Sequence, residues 1–258
     1  MHSENIRLEK DKRIYFASDF HLGVPDNNSS LLRERKVVQW LDEIKHDAQV
    51  IFLLGDVFDF WFEYRKVVPK GFLRLLGKLA ELADSGIEIV FFRGNHDMWM
   101  FNYFQEEFNA RVFSGPVSYV INDKKLLISH GDGLGPGDFS YKILKKIFNN
   151  SICQWLFGIL PPVIGLGIAQ SWSKRSRIVS NSKGEVFKGE EKEHLVIWSR
   201  NTEQKTHHDY YIFGHRHLAL DIAITNNSRY FNLGEWVNNS HYGMFDGENF
   251  VLSKYPNG

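Results

Sequence analysis

Five short stretches, each at the end of an apolar run, hold nearly every residue in this chain suited to binding a metal. They are Asp19 and His21, Asp56, Asn95 and His96, His130, and lastly His215 and His217. The runs leading into them are Arg13 to Ser18, Gln49 to Leu54, Glu88 to Phe92, Lys125 to Ser129 and Tyr210 to Phe213, and they read as buried strands. In a strand, residues two apart face the same side, so Asp19 and His21 are placed to grip one ion. In open α/β sheets ligands gather outside the carboxyl ends of the strands. Five segments distant in sequence are therefore expected to converge on one crevice. Gly55, Gly94, Gly131 and Gly214 stand beside these residues, where the backbone must turn tightly or come close to an ion.

Taken singly, each member is ordinary. A lone histidine at a strand end is more often a hydrogen-bonded surface residue, and a lone Gly-Asp is a turn. Five such blocks in succession are not ordinary. Carboxylate, amide oxygen and imidazole without thiolate suit Mn²⁺, Fe²⁺ or Zn²⁺ rather than a structural zinc knot. Asp19, His21, Asp56, Asn95, His130, His215 and His217 are too many ligands for one catalytic ion, which implies two.

Composition fits an enzyme. A chain of 258 residues with 43% hydrophobic and 15% aromatic content supplies a sizeable core in one large or two small domains. Lysine plus arginine and aspartate plus glutamate both number 31, so no global charge draws the chain to nucleic acid. Cys153 is the single cysteine, which rules out an internal disulfide and favours a reducing compartment. The opening residues, Met1 to Asn5, lead into no apolar signal region, and a cytoplasmic location is expected. Two amphipathic helices are predicted. One spans Ser30 to Lys45, with Val37, Val38, Leu41 and Ile44 on a stripe; the other starts near Pro69, presents Phe72, Leu75, Leu76, Leu79 and Leu82, and ends at Gly86. Strand–helix–strand alternation through residue 95 predicts an α/β fold of layered β-sheets flanked by helices.

Between His130 and His215 that alternation stops. No charged residue occurs from Asn149 to Ser173, and Ile152 to Ala169 is long enough to suggest a membrane span. Pro161-Pro162 and the glycines around it break such a helix. Two short helices meeting at the prolines are expected instead, as an apolar hairpin with Lys142, Lys145 and Lys146 before it and Lys174, Arg175 and Arg177 after it. Such a surface suits either packing on the core or contact with lipid chains and anionic headgroups. The division expected is a core of residues 1–133 and 201–258 with a helical cap insertion at 134–200.

The blocks Asp19-Phe20-His21, Gly55 to Asp59, Gly94 to Asp97, His130 to Asp132 and Gly214 to His217 resemble, in order, the D-x-H, G-D-x-x-D, G-N-H-D, H-G-D and G-H-x-H signatures of calcineurin-like metallophosphoesterases. The resemblance implies that Asp19, His21, Asp56 and His217 hold one metal and Asp56, Asn95, His130 and His215 the other, with Asp56 bridging. It also implies in-line displacement at phosphorus. His96 lies outside the ligand count and would stabilise phosphoryl charge or protonate the leaving group, oriented by Asp59. Within the family, the apolar insertion after H-G-D and the run Asp56 to Trp61 are similar to the branch that cuts the pyrophosphate of UDP-2,3-diacylglucosamine in lipid A synthesis, usually with manganese. That likeness implies an amphiphilic UDP-sugar lipid as substrate and peripheral contact with the cytoplasmic face of the inner membrane. It gives substrate-binding roles to Trp61, Asp138 and Tyr141, and to Arg175, Ser180 and Lys183 in the polar stretch closing the cap. One departure stands: this chain has His96 where the branch carries arginine, and only an imidazole readily transfers a proton near neutral pH. Another phosphodiester or phosphomonoester is the alternative substrate, and oligomeric state is left open.

Overall fold

The computed structural model describes residues 2–137, 139–168 and 186–256. Its strands are β1 (His2–Ile6), β2 (Arg13–Ala17), β3 (Ala48–Leu54), β4 (Glu88–Phe92), β5 (Arg111–Phe113), β6 (Val117–Ile121), β7 (Lys124–Ser129), β8 (Tyr210–Phe213), β9 (Ala219–Thr225), β10 (Ser228–Leu233), β11 (His241–Phe245) and β12 (Phe250–Lys254). The helices are α1 (Asn27–Ile44), α2 (Leu73–Asp84), α3 (Tyr103–Phe108), α4 (Phe139–Phe148), α5 (Ser151–Ile159) and α6 (His194–Glu203), with further helical residues at 162–168.

Two six-stranded sheets result, ordered β12-β11-β2-β3-β4-β5 and β1-β6-β7-β8-β10-β9. β2, β3, β4 and β5 run parallel, as do β7, β8 and β10, so the ends that carry the metal-ligand blocks point the same way within each sheet. The strand residues alternate between two cores, which is why the runs are apolar at every position. Ile14, Phe16, Val50, Phe52, Val90 and Phe92 face the other sheet, where Tyr119, Leu126, Ile128 and Ile212 meet them. Tyr15, Ala17, Ile51, Leu53, Ile89 and Phe91 face outward to Val37 and Leu41 of α1, Leu75 and Leu79 of α2, and Phe104 of α3. On the far side of the second sheet, Leu195 and Val196 of α6 cover Leu127, Tyr211 and Phe213.

Asp26 caps α1, accepting hydrogen bonds from the amides of Asn28 and Ser29. The second amphipathic helix starts later than its sequence predicts. Gly71 (φ 108°) and Phe72 (φ 56°) are left-handed and break the chain after Pro69, so α2 begins only at Leu73. Its first turn is capped from outside: Glu34 of α1 accepts hydrogen bonds from Arg74 N (2.8 Å) and Leu75 N (3.1 Å).

Helices stand on both sides of Pro161-Pro162, as expected for a hairpin. It touches the core through an aromatic patch of Phe60, Phe62, Trp99, Phe148 and Phe157, with Trp99 Nε1 donating to the Phe148 carbonyl at 2.8 Å. Among the described residues, no helix is long and apolar enough to cross a membrane.

Candidate metal centre

The loops at the ends of β2 and β3, and those at the ends of β7 and β8, are stitched together by their own backbones. Asp19 N donates to Gly55 O (3.0 Å), His21 N to Asp56 O (2.8 Å), Leu22 N to Val57 O (3.0 Å) and Gly214 N to His130 O (3.0 Å). Side chains add to this, since Asp19 Oδ2 accepts from His215 N (3.0 Å) and Asp56 Oδ1 from His96 N (2.9 Å). Asp19, His21, Asp56, His215 and His217 all take positive φ between 46° and 69°, a region that disfavours side chains. At about 1–2 kcal/mol per residue, this conformation persists because those bonds over-determine it. Gly94 is required where it stands, because a Cβ there would collide with the Asp56 carboxylate.

The side chains so placed fall into two groups that share Asp56. In the first, the donor atoms of Asp19, His21, Asp56 and His217 lie within 4.8 Å of one another. His217 Nε2 is 3.1 Å from Asp19 Oδ1 and 3.0 Å from His21 Nε2. In the second, Asp56, His130 and His215 converge within the same limit, and His130 Nε2 sits 3.5 Å from Asp56 Oδ2 and 3.2 Å from Asn95 Oδ1. All seven residues expected as ligands therefore meet in one crevice.

Electrostatics fit a cation there. Asp19 and Asp56 are fully buried, and among the described residues neither pairs with a lysine or arginine. Burial pushes His21 and His215 down to about 4, which leaves both imidazoles neutral with a lone pair to give. Burial acts on His130 in the same direction, but the neighbouring Asp56 carboxylate overcomes it and raises His130 to about 10. Against its own burial, Asp56 is held well below the usual carboxylate range by His130 and His96. A proton on His130 thus sits where the crevice calls for positive charge. Buried carboxylates, an amide oxygen and imidazoles converging in two sets fit divalent ions of the Mn, Fe or Zn type.

His96 lies beside the first group, its ring 4.9 Å from that of His21 and edge-on to it. Its Nδ1 is 3.1 Å from the Asp59 carbonyl and 3.4 Å from Asp59 Oδ1, so Asp59 orients the ring. Tyr141 of α4 donates to Asp132 Oδ2, which brings it to the H-G-D loop at the crevice edge. Trp61 is a correction. Its ring is fully buried against Phe58, Tyr103 and Phe104 and its Nε1 donates to Glu63 (3.2 Å), so it belongs to the core and cannot meet a substrate. An aromatic residue just after G-D-x-x-D carries no signal that separates the two places. Asp138, Arg175, Ser180 and Lys183 lie outside the described residues.

One important residue went unassigned in the sequence reading. Asp97 is fully buried and accepts hydrogen bonds from Gly94 N (2.8 Å), Asp56 N (3.2 Å), Val57 N (2.8 Å) and Phe58 N (3.3 Å), clamping two ligand loops together. Burial, then the Asp56 charge, pushes it up to about 7, while the backbone donors favour its ionised form. The available signal was its position three residues after Gly94, the spacing of a carboxylate folding back on its own turn.

Comparison with known proteins gives the family. Residues 12–219 match the calcineurin-like phosphoesterase family, and the chain belongs to it. It is accordingly a metal-dependent phosphoesterase. Among its relatives, the UDP-2,3-diacylglucosamine hydrolase of Porphyromonas gingivalis is 36% identical, aligned over 93% of this chain and 96% of the relative. The protein of the same name from Proteus mirabilis is 28% identical over 78% of this chain and 80% of its own. Among solved structures, the phosphoesterase Yfce from E. coli aligns over 93% of this chain and 91% of its own, with a TM-score of 0.45 and 19% identity.

Proposed function

We propose that the protein hydrolyses the pyrophosphate of UDP-2,3-diacylglucosamine, releasing UMP and 2,3-diacylglucosamine 1-phosphate. The observation that carries this reading is the 36% identity, end to end, with the hydrolase of that name. In this reading Asp19, His21, Asp56 and His217 hold one divalent ion and Asp56, Asn95, His130 and His215 the other. The mixed set of three oxygen-donating residues and four imidazoles admits manganese, iron or zinc, and manganese is the ion we propose. When bound, the two ions supply a nucleophile at neutral pH and positive charge for in-line displacement at phosphorus.

The chain's own residues do the rest. Water adds across the P–O–P bridge, one phosphate taking the hydroxyl and the other the proton. His96, held through Nδ1 by Asp59, keeps Nε2 to bind a phosphoryl oxygen or to pass that proton to the leaving group. Asp97 holds the Asp56 loop in register.

In this reading the insertion expected at residues 134–200 caps the crevice. Phe139, Ile143, Trp155, Leu156, Ile159 and Val163 are exposed on it, beside Lys142, Lys145 and Lys146. That combination favours acyl chains and an anionic lipid surface, with the protein peripheral on the cytoplasmic face of the inner membrane. Tyr141, and with it Asp138, Arg175, Ser180 and Lys183, would contact the sugar and phosphates. His96 in place of arginine favours a second reading, hydrolysis of another phosphodiester or phosphomonoester. Purified protein with Mn²⁺, detergent and UDP-2,3-diacylglucosamine should release UMP, and an Asp56→Ala variant should not. Absence of UMP together with metal-dependent cleavage of a generic phosphodiester would establish the second reading instead.

A further inference from the structure

Arg216 stands between His215 and His217, and each of these histidines serves a different donor group. Gly214 and His215 of that turn are held by neighbouring strand-end loops and by Asn232. Gly214 donates to His130 O (3.0 Å) and its carbonyl accepts from Asn232 Nδ2 (2.5 Å), while His215 N donates to Asp19 Oδ2 (3.0 Å). Arg216 instead reaches out to Glu193, the residue that precedes α6. Its Nε donates to Oε1 at 2.6 Å and an Nη to Oε2 at 3.1 Å, a two-pronged pair. Glu193 is 3% exposed, so water competes little for its charge. Glu193 is itself fixed, because Leu195 in the first turn of α6 packs against Gly131, next to His130.

Both flanking histidines are left-handed, at φ 69° and 53°, and the Arg216 side chain adds to the bonds that hold this turn an anchor at its middle, from outside the site. We infer that Glu193, acting through Arg216, is a positioning residue for both donor groups, setting His215 and His217 at once for divalent-metal binding. One ion pair at the foot of α6 thereby tunes two sites. Neither residue belongs to the five signature blocks as a ligand, and the inference rests on the metal assignment proposed above.

The test is Mn²⁺ titration of the full chain by calorimetry, with unfolding followed separately by circular dichroism. Glu193→Gln keeps the shape and removes the charge, and should weaken Mn²⁺ binding about 10–100-fold while the fold persists. Arg216→Lys keeps the charge without the fork and should fall between this variant and wild type. Asp221→Asn breaks the exposed Arg229–Asp221 pair on the same sheet and should leave Mn²⁺ affinity unchanged, separating positioning from general loosening. Wild-type affinity in both Glu193→Gln and Arg216→Lys, with Asp56→Ala losing its metal, overturns the positioning role alone. Stoichiometric Mn²⁺ retained by Asp56→Ala overturns the metal assignment and the inference with it.

Discussion

In the strand-end crevice charged side chains are buried, with Asp19 at 0% and Asp56 at 1% exposure; in the helical hairpin apolar side chains are exposed, with Trp155 at 65% and Val163 at 84%. Ten of the sixteen large apolar side chains exposed among the described residues lie between 139 and 168. Each region goes against the solvent preference of its own residues, and each does so where the chain is held by something else. The crevice is locked by backbone hydrogen bonds from four loops and by the Asp97 carboxylate. The hairpin rests on an aromatic patch around Trp99 and turns its remaining apolar surface outward. Misplaced polarity is what the two regions share: buried charge in the crevice fits cations, and the exposed apolar surface of the hairpin is what the proposal above gives to acyl chains.

The sharpest way to break this contrast is to empty the crevice. Asp56→Ala should remove metal and reduce turnover to background, whereas His96→Ala should keep its metal and slow turnover about 10²–10⁴-fold, as read by metal analysis beside steady-state kinetics. Turnover unchanged in His96→Ala would take that residue out of catalysis. Next in size is Asp97→Asn, which leaves one acceptor oxygen for four amides. Metal affinity should fall about 10–100-fold by calorimetry, and wild-type affinity would show that the two loops hold their register unaided.

The hairpin should respond in the opposite manner. Leu156→Asp or Ile164→Asp, at positions 53% and 52% exposed, should shift stability by no more than about 0.5 kcal/mol. For diacyl substrate KM should rise about tenfold, the scale of one buried apolar side chain, and for a chain-truncated analogue it should hardly move. Equal effects on both substrates would make the hairpin a folding element.

The smallest effect is the pH response of metal-free protein. His21 and His215 are held at about 4, below the usual value of about 6.5 for a free imidazole. The unfolded chain therefore takes up protons first, and stability falls as pH drops from about 6.5 to about 4. Asp97, raised to about 7, acts oppositely over much of that window, but as one carboxylate against two imidazoles. His130, raised to about 10, is protonated in both states below about 6.5 and adds no slope there. A Tm that climbed as the solution was acidified would contradict this balance.

The ligand blocks were legible in sequence because they are local. An apolar run, a glycine and a ligand type can be read without knowing what lies opposite, and the runs of β2, β3, β4, β7 and β8 fall within a residue of expectation. What escaped depends on contacts between distant segments. β1, His2–Ile6, carries one buried residue and no apolar run, and it exists because β6 pairs with it in parallel. The start of α2 was misplaced because its cap is Glu34, from another helix. Trp61 looks identical in sequence whether it lines a pocket or fills a core. Asp97 and the Glu193–Arg216 pair act on backbone and loop geometry, which residue identity does not display.

The most direct measurement is anomalous diffraction from crystals grown with Mn²⁺. Two manganese peaks should appear in the crevice, both contacted by Asp56, with His217 on one and His215 on the other. A single peak, or two peaks that do not share Asp56, would contradict the account.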